Sequence, residues 1–150
     1  MTVKPIPEGY RTVTPYLVVE GADKLIDFIT EAFGGKERMR LPGPGGAVGH
    51  AEVEIGDSVV MLGDSSTTDD NRKFPGMIHL YVGDVDAAYK SALAAGGTSV
   101  QDPEDKFYGD RNAAVRDPFG NFWYISTHVE DVPPDEMERR SAEFVKQQQG

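Results

Sequence analysis

Apolar and polar positions follow the same pattern in two halves of the chain. Residues 12–19 are rich in β-branched and aromatic side chains and predict a strand, and apolar residues at helical spacing over 22–33 predict a helix that ends at Gly34-Gly35. A strand at 78–82 and a helix at 85–95 repeat this pattern, with Val82 lying 63 positions after Val19. Hairpins follow each helix, so the sequence predicts two βαβββ modules and an α+β fold.

These modules are expected to form one domain over the whole chain of 150 residues. We place module 1 at about 9–64, a polar linker at 65–75, module 2 at 76–129 and a C-terminal helix at 134–148. A helix covers only one face of each curved sheet. The other face stays open until a second module closes it, so two modules are expected to enclose a cleft.

Charge and composition exclude several classes of function. The chain has 15 basic and 25 acidic residues, a net charge of −10, which opposes binding to nucleic acid and to anionic membranes. It has no cysteine, so a disulfide, a thiolate metal site and a cysteine nucleophile are excluded. No apolar run has the length of a membrane span, and the first residues lack the apolar core of a signal peptide, so we expect a cytoplasmic protein.

Several motifs in this frame resemble a known family. Paired βαβββ modules with Asp117-Pro118-Phe119-Gly120-Asn121-Phe122-Trp123 before the last strand are similar to the vicinal-oxygen-chelate superfamily, which includes glyoxalase I, bleomycin-resistance proteins and extradiol dioxygenases. Its PhnB-like branch is suggested by four further segments, at 14–17, 50–53, 107–111 and 127–131. The resemblance implies a homodimer, in which modules of two chains often complete each cleft.

The resemblance also implies where a metal would bind. Enzymes of the superfamily hold one divalent ion with four His or Glu side chains, two from each module. The matching positions here are Thr14, Met61, Met77 and Tyr124. Thioethers are soft ligands, and protonated Thr and Tyr oxygens are weak ones, so these residues do not suit a hard divalent ion. We therefore expect a degenerate metal site and no metal cofactor.

Side chains of the same strand parity as those four positions are expected to line the cleft. The predicted ligand pocket comprises Thr14, Tyr16, Met61, Met77, His79, Tyr81, Phe122, Tyr124 and Arg111. Arg111 begins a predicted strand at 111–116. It could bind a ligand carboxylate, or it could join Asp110 in a structural lock of the preceding loop. The aromatic rings of this pocket suit a small aromatic molecule, and the acidic chain suits a cationic one. The rings could equally fill the core. His79 could be a general base or an imidazole hydrogen-bonded to a neighbouring Tyr.

Two functions remain open at this point. The first is a metal-free, bleomycin-resistance-like protein that binds a small organic molecule. The second is a metal-dependent lyase, isomerase or dioxygenase whose single divalent ion has moved to His50, Glu52 and His79. The alternative for His50 and Glu52 is a solvated strand face.

Overall fold

Eight strands form two four-stranded sheets in the computed structural model, which describes residues 2–150. Module 1 comprises β1 (Tyr16–Val19), α1 (Ala22–Phe33), β2 (Lys36–Pro42), β3 (Val48–Ile55) and β4 (Ser58–Asp64). Module 2 comprises β5 (Met77–Tyr81), α2 (Val85–Ala94), β6 (Thr98–Asp105), β7 (Asp110–Arg116) and β8 (Phe122–His128), and α3 (Pro134–Gln149) follows it. The strand orders are β1-β4-β3-β2 and β5-β8-β7-β6, so the predicted duplicated α+β fold is confirmed.

One apolar core joins the two modules. Helix α1 packs against α2, and Trp123 of β8 lies against Phe28 and Phe33 of α1, with ring centroids 6.4 and 5.0 Å apart. Strand residues that alternate with the predicted pocket positions lie in this core. Six of them are buried, namely Leu17, Val19, Val60, Leu62, Trp123 and Ile125, and Leu80 and Val82 are partly buried against them. The opposite face of each sheet, which points away from the helices, is therefore not covered by this core.

The repeat extends to the way in which each helix begins. Asp64, at the end of β4, accepts hydrogen bonds from the backbone N–H groups of Gly21 and Ala22 at 2.9 and 2.8 Å. Thr127 of β8, which lies 63 positions after Asp64, accepts one from the N–H of Val85 at 2.9 Å. Both side chains satisfy N–H groups that the first helical turn leaves without partners.

The strand boundaries differ from the sequence prediction in ways that affect the site. Strand β1 begins at Tyr16 rather than at residue 12, because Pro15 has no N–H for the ladder. Thr14 therefore precedes the strand, where its hydroxyl donates to the Arg11 carbonyl at 3.4 Å. Strand β6 runs through Pro103, which an edge strand tolerates.

Helix α3 is held at the surface by a few side chains. Arg140 donates to the Phe107 carbonyl at 3.0 Å and to both carboxylate oxygens of Glu130 at 2.8 and 2.9 Å. Phe144 packs on Phe107 with 5.0 Å between ring centroids. No residue of α3 is fully buried, so this helix adds little to the core.

Candidate functional site

Each sheet presents one open face, opposite to its helix. Direct cross-strand partners share a face, and Tyr16, Met61, Glu52 and Met39 form such a row across all four strands of module 1. We call this side, with His50 and Gly63, the module 1 face. The module 2 face carries Met77, His79, Tyr81, Asp110, Asn112, Phe122, Tyr124 and Ser126. Tyr16, Met77 and Tyr81 are 45%, 68% and 65% exposed, so both faces are open in a single chain.

A hydrogen-bonded chain of three side chains crosses the module 1 face. The Tyr16 hydroxyl lies 3.0 Å from Nδ1 of His50, and Nε2 of His50 lies 2.9 Å from Oε2 of Glu52. Glu52 is only 7% exposed, so the strand face around it is not solvated, contrary to one of the alternatives drawn from the sequence. The chain thus leads from a buried carboxylate to a half-exposed phenol.

Tyr10 completes the surroundings of Glu52. Its hydroxyl is buried and has no hydrogen-bond partner of ordinary geometry among residues 2–150. Burial and the nearby Glu52 carboxylate raise the pKa of Tyr10 to about 12. The hydroxyl of Tyr10 and the imidazole of His50 together hold the pKa of Glu52 below its usual range, against the opposing effect of burial. Glu52 is therefore an ionised carboxylate at neutral pH.

Gly63 makes room for this chain. It lies between Tyr16 and His50 on the same face, and an added Cβ would stand 2.9 Å from the Gly49 carbonyl oxygen and 3.5 Å from the Tyr16 hydroxyl. Because residue 63 has no side chain, the Tyr16 hydroxyl can cross the backbone of β4 and reach His50.

Aromatic rings dominate the exposed part of the module 2 face. The His79 ring is nearly parallel to the rings of Tyr81 and Tyr124, with centroid distances of 5.1 and 6.2 Å. Nε2 of His79 lies 2.8 Å from the hydroxyl of Ser126. The partner of His79 is therefore Ser126 and not a neighbouring Tyr, which corrects that alternative from the sequence; the two Tyr rings flank the imidazole.

A buried carboxylate lies at the edge of these rings. Asp110 is 5% exposed and accepts hydrogen bonds from the Tyr81 hydroxyl and from Nδ1 of His128, both at 2.8 Å. Burial pushes the pKa of Asp110 upward, but the bonds from His128 and Tyr81 outweigh it and hold the pKa below its usual range. The bond to Asp110 in turn raises the pKa of Tyr81.

The structure brings most of the predicted pocket residues to these two faces, but not all of them. Tyr16 and Met61 lie on the module 1 face, and Met77, His79, Tyr81, Phe122 and Tyr124 lie on the module 2 face. Thr14 and His79 line a groove of about 230 Å³ between the modules, together with Pro15, Val59, Ile78 and Leu80.

Arg111 lies on the other side of its sheet. Its guanidinium forms a bidentate ion pair with Asp86 of α2 at 2.9 and 3.0 Å and contacts Asp105 at 3.2 Å. Its neighbours Asp110 and Asn112 point to the open face, and alternation along β7 turns Arg111 toward α2. The prediction that Arg111 meets a ligand carboxylate in the pocket is corrected accordingly.

The proposed relocated metal site is not assembled within one chain. His50 and Glu52 lie on module 1 and bind each other, whereas His79 lies on module 2 and binds Ser126. Among residues 2–150, no three His, Asp or Glu side chains converge in a way that could hold an ion. Within one chain, the set of His50, Glu52 and His79 is therefore not brought together.

Sequence reasoning missed Asp110 and the link between Tyr16 and His50. The sequence pattern predicts Asp110 in a loop, but it is the first residue of β7 and shares strand parity with Asn112 and Ala114, which is the signal that could have placed it. The contact between Tyr16 and His50 depends on the register of β1, β4 and β3 together, which no local pattern predicts.

Comparison with known proteins agrees with this architecture. The model of the Glyoxalase/Bleomycin resistance protein/Dioxygenase superfamily matches residues 11–125. The chain belongs to this superfamily. The match is at the level of the superfamily, so membership of the PhnB-like branch stays a prediction.

Individual proteins are similar to this chain in sequence or in fold. The uncharacterized protein Mb0911c of Mycobacterium bovis is 41% identical over 135 residues, which cover 84% of this chain and 89% of that protein. TioX from Micromonospora sp. ML1 superposes with a TM-score of 0.67 at 26% identity, over 79% of this chain and 99% of that one. A superfamily member from Sphaerobacter thermophilus DSM 20745 gives 0.62 at 27% identity, over 78% and 96%.

Two further observations describe this superfamily member. The matched region ends at residue 125, so α3 lies beyond it. No helix among residues 2–150 combines the length and the apolar character needed to cross a membrane.

Proposed function

We propose that this glyoxalase-superfamily protein binds a small, flat, cationic organic molecule without a metal ion, in clefts that a second copy of the chain completes. The observation that carries the proposal is the exposure of Tyr16, Met77 and Tyr81, at 45%, 68% and 65%, on two faces that are otherwise built of ordered strands. Large apolar and aromatic side chains clustered in this way are typical of a binding surface.

The chemistry of the two faces supports an aromatic cation as the ligand. The near-parallel rings of His79, Tyr81 and Tyr124 provide a surface for stacking. Each face also holds a buried carboxylate, Glu52 or Asp110, within a net charge of −10. Aromatic faces and carboxylates both attract cations.

The residues at the superfamily's ligand positions support a site without a metal. Thr14, Met61, Met77 and Tyr124 offer hydroxyl and thioether groups, which bind hard divalent ions weakly. Recognition by stacking and hydrogen bonding requires no such ion.

Dimerisation is tested first, by light scattering coupled to size exclusion. We expect a dimer for the native chain and a monomer for Met77→Glu, which places a charge on the module 2 face. The matched control is Val3→Glu, at an apolar residue that is 84% exposed outside both faces. A native monomer, or an unchanged dimer in Met77→Glu, would contradict the assembly.

Binding is tested with proflavine, a planar aromatic cation, against 9-anthracenecarboxylate, a planar anion. We expect proflavine to bind at least about tenfold more tightly, a difference of roughly 1.4 kcal/mol, and EDTA to leave this affinity unchanged. Equal binding of the anion would refute the ligand class. Near-stoichiometric Zn, Ni, Mn or Fe in protein purified without chelator, lost on mutating His79, would instead favour the metal-dependent enzyme.

A further inference from the structure

The three-residue chain on the module 1 face has a fixed direction. Glu52 is ionised and can only accept hydrogen bonds, so Nε2 of His50, 2.9 Å away, must be the donor. In a neutral imidazole the other nitrogen, Nδ1, then carries a lone pair and no hydrogen. With His50 in this neutral form, the Tyr16 hydroxyl, 3.0 Å from Nδ1, is the group that donates its hydrogen.

This direction determines what Tyr16 offers to a ligand. Its only hydrogen is used in the bond to His50, and its oxygen keeps lone pairs that can accept. Tyr16 is 45% exposed, so a ligand on the module 1 face can contact this side chain. Through His50, the buried Glu52 carboxylate thus leaves the Tyr16 oxygen to act as a hydrogen-bond acceptor.

We propose that Tyr16, His50 and Glu52 form a directional hydrogen-bond chain that selects ligands carrying an N–H donor. The inference rests on the proposed function, since it names which aromatic cations the cleft prefers: protonated amines with N–H groups, rather than quaternary ammonium ions of equal charge. Tyr16 is the group that contacts the ligand, and His50 and Glu52 are positioning residues that act through it.

Surrounding residues favour this direction. The buried Tyr10 hydroxyl lies beside Glu52, and the Arg38 guanidinium stands over the Tyr10 ring at 5.1 Å from its centroid. Both stabilise the negative charge at the buried end of the chain. Glu54 lies two residues after Glu52 on the same face of β3, is exposed, and takes no part in the hydrogen bonds among Tyr16, His50 and Glu52. It therefore provides a control of the same charge.

The direction of the chain is tested without any ligand, by measuring the protonation state of His50 through its ring ¹⁵N shifts. In the neutral ring we expect the hydrogen on Nε2, both in the native protein and in Glu54→Gln. In Glu52→Gln the amide can accept or donate, so the Nδ1–H form should appear. An Nδ1–H tautomer or an imidazolium in the native protein at the assay pH would overturn the proposal.

Selectivity is tested with two probes of equal charge, 2-naphthylmethylammonium and its N-trimethyl analogue, by calorimetry. We expect the native protein to prefer the N–H probe by about threefold to tenfold, the range that one hydrogen bond supplies. Tyr16→Phe should lose this preference. The control Tyr89→Phe, which removes a hydroxyl of α2 that bonds to Ser99 and Asp102, should keep it.

The outcomes separate this inference from the function on which it rests. Equal native affinity for both probes, or an undiminished preference in Tyr16→Phe, overturns the directional chain and leaves aromatic-cation binding intact. Binding of neither probe overturns the proposed function, and the selectivity with it.

Discussion

The carboxylate of Asp117 accepts a hydrogen bond from the indole Nε1 of Trp123 at 2.8 Å, and both residues are buried. The same carboxylate accepts three more bonds, from the backbone N–H groups of Phe119 and Asn121 and from the Asn121 side chain. Asn121 in turn accepts from the N–H of Gly76, just before β5. The motif that first suggested the superfamily is thus a structural lock between the last hairpin and the first strand of module 2.

Replacing Asp117 with Ala should destabilise the protein by about 3–4 kcal/mol, because four hydrogen bonds are lost and the buried donors are left without partners. The fluorescence of Trp123, the single tryptophan, reports unfolding in urea. The control is Asp69→Ala at an exposed site, which should stay within about 0.5 kcal/mol of the native protein. Equal free energies of unfolding in the two variants would contradict the structural role.

The equivalent positions of Asp64 and Thr127 lead to a second prediction. The Thr127 hydroxyl accepts from the N–H of Val85 and donates to the carbonyl of Val82, both at 2.9 Å, so it ties β8 to the start of α2. Thr127→Val keeps the shape and removes both bonds, and it should lower the free energy of unfolding by about 1–2 kcal/mol. Thr98→Val, at an exposed position of β6, is the matched control. A cost no larger than that of the control would show that the hydroxyl does not cap α2.

The fold could be predicted because its signals are local or repeated. Alternation along each strand separates Leu17 and Trp123 from Tyr16 and Tyr124, and the offset of 63 recurs even in the helix caps. The contacts of the site are not local. The bond between Tyr16 and His50 requires a particular register of three strands and the absence of a side chain at Gly63. The side of the sheet on which Arg111 lies depends on β7 beginning at Asp110, so that Asp110 faces the open side and Arg111 faces α2.

A third prediction concerns the pH dependence of stability around His128. Its Nδ1 bonds to Asp110 at 2.8 Å and its Nε2 to Asp131 at 2.7 Å, and these two carboxylates raise the pKa of His128. A raised pKa means that the stabilisation is fully present below the unfolded-state value of about 6.5 and is lost as the pH rises through the folded-state value. The native protein should therefore exceed His128→Gln in stability by more at about pH 6 than at about pH 9.

Urea unfolding of both proteins across this range measures the difference, since titration of all other groups largely cancels between them. Asp131→Asn removes one of the two carboxylates and should move the loss of stabilisation to lower pH. A native advantage that does not change with pH would show that folding does not shift the pKa of His128, which would contradict the prediction.

The last prediction concerns Gly63, on which the open geometry of the module 1 face depends. Gly63→Ala would place a Cβ 2.9 Å from the Gly49 carbonyl oxygen, which is backbone and cannot move away without separating β3 from β4. We expect a loss of about 1–3 kcal/mol in unfolding free energy. Because the same Cβ stands 3.5 Å from the Tyr16 hydroxyl, the ring ¹⁵N shifts of His50 should also change. Gly83→Ala is the control, since an added Cβ there meets no atom within 4 Å. If Gly63→Ala matched Gly83→Ala in stability and left the His50 shifts unchanged, the contact between Tyr16 and His50 would not depend on the absence of a side chain at residue 63.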